Sequence, residues 1–158
     1  MKIIPAGIDK LNDFQQVITL AFSSTPDEDL GEWYSFNKVE KSLDSSMGKA
    51  FLAVKENITV GAVHAQPESP IFGKEGLNKW QITNIGVLPS HQRQGIGGRL
   101  LKTIEDEAKR IKVEKLIVHT NPDDRRAVSF YIKYDYKPVG IIEDYYYRGP
   151  AQFFIKRF

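Results

Sequence analysis

A chain of 158 residues that is 41% hydrophobic and 27% charged fits one domain with one sizeable core, and it is too apolar to be disordered. Its 22 basic and 20 acidic side chains leave a net charge near +2, which gives no ground for a nucleic-acid partner, and the lack of cysteine removes disulfides, thiol nucleophiles and thiolate metal sites. Met1-Lys2-Ile3-Ile4-Pro5 runs straight into polar sequence, so neither a leader nor a membrane span is expected and a cytoplasmic setting is compatible.

Lys2 to Pro5 reads as a short edge strand, because proline cannot donate to a ladder. Asp9 is placed to cap a helix over about residues 10–22, with Leu11, Phe14, Val17, Ile18 and Phe22 on one face. Pro26 and the serines before it end that helix, and a second is expected over about 35–45. Ala50–Val54 and Ile58–His64 read as strands joined by a hairpin turn at Glu56-Asn57. A loop with Pro67, Pro70, Gly73 and Gly76 leads to Trp80 and a fourth strand that stops at Pro89-Ser90. The next helix carries Ile96, Leu100, Leu101, Ile104 and Ala108 at helical spacing and ends near Ile111. Lys115–His119 is a buried strand, and residues 123–133 form a helix with Ala127, Phe130 and Tyr131 inward. Asp135 takes a left-handed turn, and 137–143 and 152–156 close the chain as an antiparallel pair. The order β-α-α-β-β-β-α-β-α-β-β predicts an α/β (α+β) domain over residues 1–158, a mixed sheet with helices on both faces.

The informative stretch is Gln81 to Leu101. A strand runs into Gln92-Arg93-Gln94-Gly95-Ile96-Gly97-Gly98 and then directly into a helix. The first amides of a helix lack internal acceptors and its dipole makes that end positive, while glycine lets the backbone approach an anion closely. A pyrophosphate suits such a turn. The dinucleotide fingerprint fails because Leu100 stands where its third glycine belongs, and the P-loop fails for want of Gly-Lys-Ser/Thr. On the glycines alone, a tight turn without a ligand stays open.

Gln92-x-x-Gly95-x-Gly97, with Asn84-Ile85-Gly86-Val87 and Pro89 ahead of it, resembles the acetyl-CoA signature of the GNAT superfamily of N-acetyltransferases. The likeness is good over about residues 80–147, where it is most like bacterial ribosomal-protein-alanine N-acetyltransferases, and holds only in outline before that. It implies a seven-stranded, mostly antiparallel sheet splayed between strands 4 and 5. It also implies acetyl-CoA as cosubstrate and direct transfer of acetyl to a primary amine: a peptide N-terminus, a lysine side chain or a small amine. The main chain of Ile85, Gly86 and Val87 would hold the pantetheine arm and acetyl oxygen. Gln92, Arg93, Gln94, Gly95, Ile96, Gly97 and Gly98 would hold the pyrophosphate.

Tyr131 matches the family tyrosine near the sulfur, and a phenol with a pKa near 10 can protonate a leaving thiolate. Asp124 stands where the family has a cofactor-contacting asparagine; it is also a good helix cap, and Asn121 is the alternative. His119 occupies the position of a glutamate general base, and an imidazole titrating near 6.5 predicts a pH-profile limb near neutrality that His119→Ala would remove. A core histidine and a water-borne proton are the other reading. Tyr146, in a tyrosine run between the last two strands, and Trp33, beside Asp27, Glu28, Asp29 and Glu32, would line the acceptor site. His64 and His91 have no carboxylate at ligand spacing, so no metal is expected. A homodimer is compatible with the likeness. A sensor that binds acyl-CoA without turnover is the alternative function.

Overall fold

The computed structural model describes residues 1–23, 37–45, 47–68, 78–146 and 149–158. Trp33, its neighbouring acids and Tyr147 lie outside these residues. Seven strands, β1 (Lys2–Ala6), β2 (Lys49–Lys55), β3 (Ile58–Pro67), β4 (Lys79–Val87), β5 (Lys115–Thr120), β6 (Lys137–Tyr146) and β7 (Gly149–Arg157), form one sheet in the order β1-β2-β3-β4-β5-β7-β6. All neighbours are antiparallel except β4 and β5. Helices α1 (Leu11–Phe22), α2 (Asn37–Asp44), α3 (Ile96–Arg110) and α4 (Arg125–Lys133) complete the expected element order. No helix among the described residues is long and apolar enough to cross a membrane.

Local chemistry accounts for most of the joints. Glu56 and Asn57 both take positive φ (52° and 62°), the backbone of a two-residue hairpin turn whose twist matches the strands. Asp135 is left-handed as expected, with φ 66°. Asp9 is not the cap of α1. A single 3-10 turn, Ile8–Lys10, is closed by Lys10 N donating to Gly7 O at 3.0 Å, and this moves the helix start to Leu11 without a side-chain cap. Tyr145 and Tyr146 belong to β6, which runs longer than its apolar pattern suggests, rather than to a connection between strands.

The sheet carries one apolar layer on each face. Leu100, Leu101 and Ile104 of α3, fully buried, pack on Val63, Ala65, Trp80, Ile82, Leu116 and Phe154. Each contributes about 1.5–3 kcal/mol, which outweighs the roughly 1 kcal/mol that Gly97 and Gly98 each cost a helix. On the other face Phe14, Val17 and Ile18 of α1 and Val39 and Leu43 of α2 pack on Ala50, Leu52 and Ala62.

One extra residue in β4 changes which face each side chain meets. His64 pairs with Asn84 but Ala65 pairs with Ile82, so Thr83 is bulged out of the ladder. Trp80 and Ile82 lie in the α3 layer; past the bulge Ile85 and Val87 return to that layer. Asn84 and Gly86 consequently turn towards α1. A Cβ on Gly86 would stand 2.8 Å from Ala21 Cβ and 3.1 Å from Ile18 Cδ1, so helix packing alone requires the glycine. A Gly86→Ala substitution should therefore destabilise the fold by about 1–3 kcal/mol in chemical denaturation, and an unchanged midpoint would show that α1 yields freely.

Candidate active site

The parallel pairing of β4 with β5 covers only Lys79–Lys115, Trp80–Leu116 and Gln81–Ile117. Beyond it, Ile82 and residues 84–87 pair with β3 and Val118–Thr120 with β7, so the two strands part into a split. The edge of β4 from Ile85 to Val87 faces that split, and its carbonyl end is tied down by Gln92 Nε2, which donates to Val87 O at 3.1 Å.

At the mouth of the split, Gln92, Arg93, Gln94 and Gly95 are exposed. Arg93 (φ 61°) and Gly95 (φ 76°) are left-handed, a path that carries the chain into α3 and that glycine takes without strain at position 95. The first amide bond of the helix runs from Arg99 N to Gly95 O at 3.1 Å. The amides of Ile96, Gly97 and Gly98 thus have no intrahelical acceptor, no side chain caps them and no acid stands in the first turn. Gly97 lies 3.4 Å, measured from an added Cβ, from the Phe130 ring, and a Cβ on Gly98 would meet Tyr134 Oη at 1.8 Å. Gly98 is thus required by the packing of α4 on α3, whereas Gly95 has open space beside it.

A groove of about 770 Å³ continues from Gly95 and Gly98 along the outer side of α3. Lys2, Arg99, Lys102, Lys109 and Lys133 line it, and its other lysine, Lys156, is bonded to buried Glu105 at 3.0 Å. Lys102 also bonds Asp106. Glu105 and Asp135 line it as well, and the basic side chains outnumber these acids beside the exposed amides. The groove does not reach Ile85–Val87 or Tyr131, so the split and the groove are two compartments that meet at the turn.

The two sides of the split differ chemically. Tyr131 is 5% exposed in the α3 layer, ringed by Phe130, Tyr136 and Phe154 at 5.4–5.8 Å between centroids. Burial, with the Asp124 charge adding to it, pushes its pKa up, so it stays a neutral donor across the working pH range. Asp124 itself caps α4: its Oδ1 accepts from the amides of Arg126 and Ala127, both at 3.1 Å. Asn121 Oδ1 accepts from Asp123 N at 2.9 Å. Both side chains therefore organise the start of α4.

His119 alternates with Val118 and so lies on the opposite face from Tyr131. Its Nδ1 is 2.6 Å from Tyr146 Oη, its Nε2 2.8 Å from Gln81 Nε2, and the rings of Tyr145 and Phe153 lie 4.8 and 5.0 Å away. With the Gln81 amide nitrogen donating to Nε2, the proton sits on Nδ1 and is donated to Tyr146; this tautomer is assigned from the network. Burial pushes the His119 pKa down to about 4, below the value near 6.5 of a free imidazole. Gln81, which the sequence reading passed over, closes the base of the split; the only sequence cue is a polar residue between Trp80 and Ile82.

The model of the GNAT acetyltransferase family matches residues 11–136. The chain belongs to the GNAT acetyltransferase family. A search of curated protein sequences gives no significant match. Among solved structures the fold is similar to a ribosomal-protein-alanine N-acetyltransferase from Brucella melitensis, with TM-score 0.79, 18% identity and 100% of both chains covered. It is similar also to a PaiA N-acetyltransferase from Thermoplasma acidophilum in complex with coenzyme A (TM-score 0.76, 17% identity, 100% of both chains). A third is a GNAT family acetyltransferase from Elizabethkingia anophelis with acetyl-CoA bound (TM-score 0.69, 20% identity, 99% of this chain and 97% of that one). This GNAT enzyme is an acetyl-CoA-dependent acetyltransferase, and its own residues suit that cosubstrate: uncapped amides, an unobstructed left-handed glycine and neighbouring cations face one turn.

Burial also lowers the pKa of His64 to about 4. A depressed histidine pKa contributes stability that is fully present above the unfolded value near 6.5 and is lost as pH falls towards about 4. The unfolding free energy should thus drop by about 2 kcal/mol per histidine between pH 7.5 and pH 5, measured by denaturant titration, with His119→Phe removing its share.

Proposed function

We propose that residues 1–158 act as one catalytic domain that transfers acetyl from acetyl-CoA to a primary amine directly, in a ternary complex. The observation that carries this reading is the split between β4 and β5, with exposed amides at its mouth, a buried phenol on one face and a polar aromatic cluster on the other. In this reading the amides of the 92–98 turn hold the pyrophosphate, the edge of Ile85–Val87 holds the thioester arm, and the groove cations take up further phosphate charge. The cosubstrate supplies an activated acyl group whose thiolate needs a proton on leaving. Tyr131, kept neutral by burial, donates that proton.

The acceptor amine enters from the other face, against Tyr146 and Tyr145. A peptide N-terminus is the favoured acceptor, supported by the likeness of the C-terminal half to peptide-acetylating relatives and by the name of the Brucella relative. His119 holds the Tyr146 hydroxyl in place. A base of pKa about 4 with its lone pair engaged by Gln81 is a poor match for an alkylammonium, so the amine proton leaves through water. Trp33 is assigned to the acceptor wall on the sequence argument alone.

The decisive experiment is thiol release from acetyl-CoA across a panel of peptide N-termini, lysine peptides and polyamines, paired with calorimetry. Release with the peptides is expected; binding without release for any amine would favour the sensor function instead. Tyr131→Phe should lower kcat about 10–100-fold while leaving the Kd for acetyl-CoA nearly unchanged. His119→Asn should lower kcat/KM without altering the shape of the pH profile near neutrality, and loss of a limb there would return His119 to the role of base.

A further inference from the structure

The histidine in the middle of β3 is not part of the split, yet it touches the residue that shapes it. His64 is 0% exposed, with the Phe14 ring edge-on at 6.1 Å between centroids. Its Nε2 lies 3.0 Å from Ser42 Oγ on α2, and its Nδ1 lies 2.6 Å from Oγ1 of Thr83, the bulged residue of β4. Thr83 Oγ1 in turn donates to Asn84 Oδ1 at 3.1 Å. With the proton assigned to Nδ1 from the network, the bonds form one directed chain: the Ser42 hydroxyl donates to Nε2, Nδ1–H donates to Thr83, and the Thr83 hydroxyl donates to Asn84, with His64 O a longer acceptor at 3.5 Å. The backbone leaves room for it. A Cβ on Gly48 would stand 1.8 Å from Ser42 Oγ and 2.7 Å from His64 Nε2.

A bulge is a local choice of register, and without it Asn84 and Gly86 would turn to the α3 layer and Ile85 and Val87 to α1. The same displacement would redirect every amide and carbonyl of 84–87. We propose that His64 is a positioning residue for acetyl transfer: its bond to Thr83 fixes the bulge of β4 and so the direction in which the main chain of Ile85, Gly86 and Val87 faces the split. The role presupposes the acetyl transfer proposed above. The apolar surroundings suit it, since burial holds the ring's pKa near 4 and the chain keeps one proton per link through the working pH range. The imidazole is the only ring in the fold that spans α2 and the bulge in this way among the described residues.

Two substitutions separate positioning from mere filling of the core. An asparagine amide nitrogen reaches the place of Nδ1 and keeps the link to Thr83; a glutamine amide reaches the place of Nε2 and keeps only Ser42. Thr83→Val removes the hydroxyl and retains the β-branched shape. Steady-state kinetics and calorimetry on these variants should show His64→Gln and Thr83→Val losing about tenfold or more in kcat. The Kd for acetyl-CoA should rise by a smaller factor than kcat falls, because the 85–87 contacts to the thioester arm loosen while the 92–98 turn keeps its hold on the pyrophosphate. His64→Asn should restore most of the loss at a Tm similar to that of His64→Gln, and the double variant should lose no more than the worse single one. Equal losses in the asparagine and glutamine variants at equal Tm, or full kcat in Thr83→Val, would overturn the proposal. Amide NMR keeps the two claims apart. If the wild-type enzyme releases no thiol with any amine, acetyl transfer is refuted, while Thr83→Val must still shift the amides of 84–87 and spare 95–98; unshifted 84–87 amides would refute the bulge role.

Discussion

Everything in this fold that bears on function follows from one interrupted interaction, the parallel ladder between β4 and β5. A continuous ladder would satisfy the edge of β4 with the edge of β5 and leave a closed sheet. Pairing that ends at Gln81 and Ile117 instead turns the edge of Ile85 and Gly86 towards a gap rather than towards β5. The backbone groups of such an edge need partners, and an extended ligand with amide character is the natural one. The turn after β4 then presents three further amides of α3, so one short stretch of chain offers both a strand-like edge and an anion-binding helix start.

The gap also separates two environments. On the α3 face Tyr131 sits in an apolar core, where burial keeps its hydroxyl protonated. On the other face His119, Tyr146, Gln81 and Tyr145 form a polar aromatic cluster, and beyond them the Ser42–His64–Thr83 chain runs from α2 to the bulge. In the proposed reaction the acid and the acceptor thus approach one reacting centre from opposite sides without contacting each other. The bulge at Thr83 gives this arrangement its geometry, because it exchanges the faces of Ile85 and Gly86 just before the strand ends.

The element order, the hairpin at Glu56-Asn57, the left-handed Asp135 and the glycine turn that leads from β4 into an uncapped helix start were legible in the sequence because each depends on residues close together in the chain. The reasons for particular residues were not, since they depend on distant neighbours. Gly86 reads as a place for a ligand but is needed by Ala21 and Ile18, and Gly98 reads as part of the phosphate turn but is needed by Tyr134. His119 was found by position, yet its titration is set by Tyr145, Tyr146 and Phe153 on strands that follow it by more than twenty residues. The bulge was hidden for a simpler reason. Ile82, Ile85 and Val87 break the two-residue alternation, and one sequence cannot say whether such a break is a bulge or a strand end.

The central claim is that the main chain of β4 and of the start of α3 holds acetyl-CoA. The most direct measurement is a titration of isotope-labelled protein with acetyl-CoA, followed by amide NMR. The account predicts saturable shifts concentrated at residues 85–87 and 93–98, with the amides of Ile96, Gly97 and Gly98 among the largest. Saturable binding that leaves those amides unmoved and shifts only residues elsewhere in the fold would contradict it.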